Sequence, residues 1–368
     1  MKTASYQLKK SARCLCPVHS NDEGDSRLFL AGTASLQAKN QLHMVQFNEE
    51  QHSWQSRAVY SHPDEVCCMS TSPHDEGLVL TCSNTSSKES AWERSKEGFH
   101  TGLWRMPSVA EDSTGLEPDP VQLERVADLG TMPLAARALC WAGEDQVVAA
   151  GSSDLSVWDL ASGQRLHRAE LCQDHSVNAA AVSPHQASDV AVATGHSVTL
   201  HDTRDLQAGA ATTIDAGYGT AVLGLDFNPN KPFHLATCGE GRILRFWDTR
   251  KSSTPLKSVH GNASHWITSI RYNAFHDQLL VTAGTERFVN LWRLGSLSST
   301  AAEQLAVAEE EGEDGAADVL IKRFEEHEES VYAVAWSASD PWSFASLAYD
   351  GTLALCQVPS AVKYQIIL

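Results

Sequence analysis

The sequence predicts an all-β protein, a seven-bladed β-propeller. Three observations carry this: a strand–turn–strand pattern that recurs seven times, a spacing of 43 to 46 residues between its cleanest copies, and no long helical periodicity. The unit is legible in "LATCGEGRILRFWDTR" (235–250), where a glycine turn separates two apolar runs and the second ends on Trp247-Asp248. A second strand pattern lies upstream of most copies, as in "AVLGLDFNPNKP" (221–232) and "SVYAVAWSASDP" (330–341). Alternation at period two gives strands with a buried face, and "NPNKP" and "SASDP" are turn chemistry.

Taken in order, the strand-end anchors are Val45, Trp104, Trp158, His201, Trp247, Trp292 and Cys356. The regular intervals match the period of about 40–45 residues of a WD40 blade. The expected blades are 12–60, 61–122, 123–170, 171–212, 213–257, 258–296 and 325–368, making one domain of the whole chain. Longer intervals coincide with polar or acidic insertions at 83–101 and 296–320, and a third insertion spans 107–120. Radial closure follows because a linear stack would leave long open edges. Both "SYQLKK" at the start and "AVKYQIIL" at the end read as strands that compete for the outer position of the last blade.

The bulk numbers exclude some functions. With 46 Asp and Glu against 28 Lys and Arg, the net charge is −18 and the long-range field repels phosphate polyanions. Nucleic-acid binding is not expected. No apolar run reaches the roughly 18 residues of a membrane span, and the first twenty residues lack a signal-peptide core, so a cytoplasmic protein without membrane insertion is expected. The nine cysteines contain no C-x-x-C pair and read as reduced thiols in strands. No cofactor or metal is expected.

His327, Ser346 and Asp350 invite a hydrolase reading. Their positions predict instead a structural network within one blade: Ser346 bonded to His327, His327 to Asp350, with Cys356 where a blade usually ends in Trp. The same network is expected in part at Thr237 and Trp247, at Thr282 and Trp292, and at Trp158; Gly241 and Glu286 occupy the usual Asp places in two of these units, and Tyr218 and Ala263 the usual His places. "GEG" (239–241) lacks the Lys-Ser/Thr of a phosphate loop and leads into a strand. Candidates for holding a partner are the aromatics Trp266, Tyr332 and Trp342 near inner strands, Arg250 of "WDTR", and Tyr364, Ile366 and Ile367 of the apolar terminus.

Several stretches together resemble the family of WD-repeat proteins that interact with the EARP and GARP endosomal tethering complexes: "LFLAGTASL" (28–36), "DFNPNKP" (226–232), "FWDTR" (246–250), "SHWI" and "YNAFHDQLL" (264–280), "EEHEESVYAVAW" (325–336), "DPWSFASLAYDG" (340–351) and "VPSAVKYQIIL" (358–368). The resemblance implies a non-catalytic scaffold. It would bind subunits of those complexes in endosome-to-trans-Golgi retrieval and endocytic recycling, as a monomer within a larger assembly, peripherally at endosomes and the trans-Golgi network. The alternative is a substrate receptor of a ubiquitin ligase or a chromatin-associated scaffold, since "WDTR" (247–250) and "HDTR" (201–204) resemble the W-D-x-R boxes of such receptors.

Overall fold

The computed structural model describes residues 5–20, 27–35, 39–84, 99–108, 118–132, 136–171, 176–217, 219–299 and 318–367. Among these residues seven sheets, antiparallel but for one added strand in blade 1, form seven blades. The first strand of each blade packs on the first strand of the next, and that of blade 7 packs on that of blade 1, which closes the ring.

From the centre outward, blade 1 holds Ala12–Pro17, Arg27–Thr33, Asn40–Asn48 and Ser53–His62. Blade 2 holds Glu65–Thr71, Leu78–Asn84, Phe99–Arg105 and Glu124–Met132. Blade 3 holds Ala138–Trp141, Gln146–Ala150, Asp154–Asp159 and Arg165–Glu170. Blade 4 holds Val177–Val182, Asp189–Thr194, Ser197–Asp202 and Thr212–Ile214. Blade 5 holds Val222–Phe227, His234–Gly239, Ile243–Asp248 and Lys257–His260. Blade 6 holds Ile267–Tyr272, Leu279–Gly284, Val289–Leu294 and Asp318–Phe324. Blade 7 holds Val331–Trp336, Ser343–Ala348 and Thr352–Gln357, and its outer strand is the N-terminal Ser5–Gln7.

Two expected blade limits shift. The outer strand of blade 2 begins at Glu124, and the short strand Val121–Gln122 before it pairs in parallel with Ser53–His62, giving blade 1 a fifth strand. The outer strand of blade 6 is Asp318–Phe324, so residues 318–320 belong to a strand and not to the insertion. Likewise Phe99–Thr101 open the third strand of blade 2. The rest of the insertions falls largely in 85–98, 109–117 and 300–317, which lie outside the described residues, as does Tyr218.

The hydrophobic core is not one mass but seven clusters, one in each gap between neighbouring blades. Second strands supply both sides. Leu235 faces blade 4 while its neighbour Ala236 faces blade 6, which explains why these strands read as unbroken apolar runs. Each large side chain so buried contributes roughly 1.5–3 kcal/mol.

The ring closes through the N-terminal strand. Ser5, Tyr6 and Gln7 pair with Ala354, Leu353 and Thr352, and Leu8 N donates to the Gly351 carbonyl at 2.9 Å. Leu8 is buried in the cluster shared by blades 7 and 1. The same seam carries a buried ion pair: Arg27 of blade 1 donates to Asp340 in the first turn of blade 7 at 2.6 Å and to Glu49 at 3.1 Å. Gly351, at φ +85°, leaves room here that a Cβ would take from the Lys10 carbonyl, 2.5 Å away.

The C-terminus is a correction to the strand reading. Residues Ser360–Ile367 form an α-helix, and it does not enter the sheet. Its Val362 and Ile366 pack with Trp342 and Ile321 against the cluster between blades 6 and 7, and Arg293 Nη1 donates to Gln365 at 3.0 Å. The period-two run was too short to distinguish strand from helix, and the competing N-terminal strand already fills the edge.

Thermal unfolding followed by circular dichroism tests this division. Deleting residues 1–8 opens the ring and should abolish the cooperative transition, whereas deleting 361–368 should leave it in place. Leu8→Ala alone should cost about 2–4 kcal/mol in urea unfolding.

Candidate functional site: strand-end networks and the channel rim

The strand ends were the first candidates for chemistry, and their geometry shows what they do. In blades 5 and 6 the indole Nε1 of Trp247 and of Trp292 donates to Thr237 Oγ1 and Thr282 Oγ1, each at 3.0 Å. In blade 7 His327 Nε2 lies 2.7 Å from Ser346 Oγ, with both groups buried. The expected His327–Asp350 bond is not made. His327 Nδ1 has no hydrogen-bond partner, and the Asp350 carboxylate instead accepts from Thr352 N at 2.9 Å and Thr352 Oγ1 at 2.8 Å. Gln7 Nε2 donates to the Asp350 carbonyl at 2.9 Å, so Asp350 supports the closing strand. Burial holds the His327 imidazole below its usual range, against the pull of the Asp350 charge. Cys356, in the Trp place, is buried and its thiol is pushed up to about 12 by burial.

A fuller network lies in blade 2, where the repeat pattern marks only Trp104. Thr81 Oγ1 accepts from Trp104 Nε1 at 2.8 Å and lies 3.0 Å from His62 Nε2, while His62 Nδ1 lies 2.9 Å from the Asp64 carbonyl. The signal was available: His62 stands 19 residues before Thr81, the same separation as His327 from Ser346. Trp158 is a correction. Ala149 stands in blade 3 where Thr237 stands in blade 5, so no hydroxyl faces the indole; Trp158 packs in the cluster between blades 2 and 3, with the Arg165 guanidinium 5.6 Å from its ring. In blade 4 His201 replaces the Trp and Val192 the Thr, and His201 Nε2 lies 2.9 Å from Thr199 Oγ1 on its own strand.

The missing Asp positions are also compensated. Beside Gly241, Glu240 accepts from Ala221 N at 3.2 Å. In blade 6 Glu286 accepts from Ser264 N at 2.8 Å. Both carboxylates tie a turn to the segment that leads into the same blade. These groups therefore hold strands and turns together.

The partner candidates divide between two ends of the ring. Trp266 and Tyr332 are exposed, at 44% and 47%, beside the starts of inner strands. Trp342 is a correction, because it lies at the other end of blade 7. It stacks on His276 at 4.6 Å and beneath Lys363 of the terminal helix at 5.3 Å. Ile366 is likewise half-buried against it, which leaves Tyr364 and Ile367 as the exposed face of the helix. Arg250 is held locally: Nε and Nη2 chelate Asp248 at 2.9 and 2.8 Å, and the guanidinium lies 4.7 Å from the ring of Phe233. It borders a cleft of about 530 Å³ between blades 4 and 5 that Phe227, Phe233, His185 and Asp202 also line. Asp202 and Arg204 repeat the same chelate one blade earlier. The arginines hold both carboxyls down, to about 2.

The described cysteines are free thiols, and burial raises those of Cys14, Cys16, Cys68, Cys140 and Cys238. Cys172 lies outside the described residues. On an inner strand, burial pushes Asp226 up to about 6 against the opposing pull of Arg271, and its carboxylate accepts Tyr272 N from the next blade at 2.8 Å. Among the described residues no helix is long and apolar enough to cross a membrane.

Fold and networks together define a WD40 β-propeller whose strand-end polar groups fasten the blades and which exposes Trp266 and Tyr332 beside the starts of inner strands. The EIPR1 beta-propeller family profile matches residues 1–292, and a WD domain, G-beta repeat, matches 318–355. The chain is 34% identical to human EARP and GARP complex-interacting protein 1 over 99% of its length and 98% of that protein's. It is 30% identical to EARP-interacting protein 1 of Caenorhabditis elegans over 96% of each chain. It is 26% identical to the WD repeat-containing protein DWA2 of Arabidopsis thaliana over 95% of each. The chain belongs to the EIPR1 beta-propeller family.

The blade 2 network gives a pH prediction. Burial pushes His62 down to about 4, below the ~6.5 of an unfolded chain. As pH falls through this window the unfolded state takes up a proton that the native state refuses. The stability is full above the window and falls within it. Between pH 7.5 and 5 the loss is about 2 kcal/mol. Asp226 has the opposite sign, so the comparison is by difference: in urea unfolding, His62→Gln should lose about 2 kcal/mol less than wild type over that span. Equal losses would place the sensitivity elsewhere.

Proposed function

We propose that the chain is a scaffold that binds subunits of EARP- and GARP-type tethering complexes. The observation that carries this is the family likeness over 99% of the chain to proteins whose names state that interaction. The physical reading supports it. The strand-end groups of blades 2, 5, 6 and 7 are engaged in holding strands, and exposed rigid aromatics remain for a partner. On this reading the chain acts without covalent chemistry, in endosome-to-trans-Golgi retrieval and endocytic recycling. It sits peripherally at those membranes through the complex, as a monomer within that larger assembly, and contacts neither nucleic acid nor the lipid core. The −18 charge supports the last point.

A ubiquitin-ligase receptor is the second reading, favoured by the paired chelates Asp202–Arg204 and Asp248–Arg250 on adjacent blades. Affinity purification of the tagged chain from its own cells, followed by mass spectrometry, separates the two. Tether subunits are expected. A ligase adaptor or histones, with no tether subunit, would sink the proposal. Arg204→Ala with Arg250→Ala should leave tether recovery unchanged.

A further inference from the structure

Six of the seven inner strands carry a β-bulge near their start, and in each the pairing skips one residue: Arg13, Cys67, Asn178, Leu223, Thr268 or Tyr332. The residue before each bulge is buried and apolar: Ala12, Val66, Val177, Val222, Ile267 or Val331. A bulge re-aims the side chain it inserts. Here it lifts one side chain in each of six blades out of full burial, exposing Arg13 and Tyr332, while its neighbour stays locked in the core. The rim of the channel is therefore a display of side chains on rigid strands.

In blade 7 the released residue is the aromatic Tyr332, and two more aromatics, Trp266 before the inner strand of blade 6 and Tyr349 after the second strand of blade 7, stand beside it on a shared hydrogen-bonded network. The Trp266 carbonyl accepts Thr285 N at 3.1 Å, the Thr285 carbonyl accepts Ser330 Oγ at 2.8 Å, and the Ser330 carbonyl accepts Tyr349 N at 3.1 Å. Tyr332 and Tyr349 lie 5.5 Å apart, and the Arg13 guanidinium sits 5.9 and 5.8 Å from their rings. All three aromatics are exposed. The rings already hold a cation from within the chain.

On the blade 7 side the border of this patch is acidic, while on the blade 6 side Arg242 and Arg323 hold the carbonyls of Ser264 and Asn262. Glu325, Glu326, Glu328 and Glu329 precede the inner strand of blade 7 and are exposed, and Asp350 follows Tyr349. Among the described residues none of these five carboxylates forms a salt bridge. Aromatic faces and unpaired carboxylates attract the same ligand chemistry, Lys and Arg side chains.

We infer that the rim formed by Trp266, Tyr332 and Tyr349, with its glutamate border, receives a basic segment of the partner protein. This rests on the tether-binding reading and names the surface and the charge of the segment that reading requires. Lys or Arg side chains of the segment pack on the solvent-exposed parts of Trp266 and Tyr332, and Glu328 and Glu329 neutralise them. The exposed face of the terminal helix, Tyr364 and Ile367, is aromatic and aliphatic and lies at the other end of blade 7.

The test uses the full chain and purified EARP complex, with affinity measured by interferometry at low and physiological salt. Trp266→Ala with Tyr332→Ala should weaken binding about 30-fold or more. Glu328→Lys with Glu329→Lys should weaken it and flatten its salt dependence. Tyr332→Phe keeps the ring face and should stay within about 3-fold. Unchanged melting curves show that each variant folds. Wild type that binds while both double variants bind equally well overturns the rim. Binding tightened by the lysines overturns the basic partner. Wild type that does not bind the complex overturns the tether reading and this inference with it.

Discussion

Closure of the ring is the constraint on which the rest of the structure depends. Every blade buries its two faces against its neighbours, so the apolar faces of the first and last blades would be open to water without the seam. Three things hold that seam. The strand Ser5–Gln7 pairs with blade 7, Leu8 fills the shared core, and Arg27 bridges to Asp340. The N-terminal strand is sequence-distant from its partner by almost the whole chain. Its pairing therefore closes a loop of almost the whole chain, a cost that the blades packed in between reduce.

Within the blades, hydrogen bonding and apolar packing divide the work unevenly. Blade 2 has a three-residue network at His62, Thr81 and Trp104, blades 5 and 6 keep a Thr–Trp pair, and blade 7 has a Ser–His pair beside a cysteine. Blades 1 and 3 have Ala31 and Ala149 in the hydroxyl position and depend on packing. Where a polar member is missing, a neighbour satisfies the same demand: Glu240 beside Gly241, Glu286 in place of Asp, Thr199 for His201. A buried donor left without an acceptor costs about 1–3 kcal/mol, so an acceptor must be supplied even when its position in the chain is free to change.

The two ends of the ring are built differently. At one end the inner-strand bulges place Arg13, Tyr332 and their neighbours on stiff backbone, beside Trp266 and Tyr349. At the other, Trp342 is covered by the terminal helix and Arg250 is held by Asp248 and Phe233. Exposed aromatics on rigid elements lose little side-chain freedom on binding, which suits the first end to recognition.

The sequence by itself determined the fold class, because seven copies of one two-faced unit leave closure into a ring as the solution without long open edges. It also located Thr237 with Trp247, Thr282 with Trp292, and His327 with Ser346, since the register sets each Trp diagonally across from its Thr on the adjacent strand and the connection into blade 7 brings His327 to Ser346. It did not determine which terminus seals blade 7: both ends alternate, and only the competition for one edge assigns Ser5–Gln7 to the sheet and Ser360–Ile367 to a helix. Nor did it separate Trp342 from Tyr332. Ten residues apart in the chain, they lie at opposite ends of a blade because a strand and a turn intervene. The bulges, and the rim they form, exist only in the pairing between strands, where one skipped residue decides which side chain leaves the core.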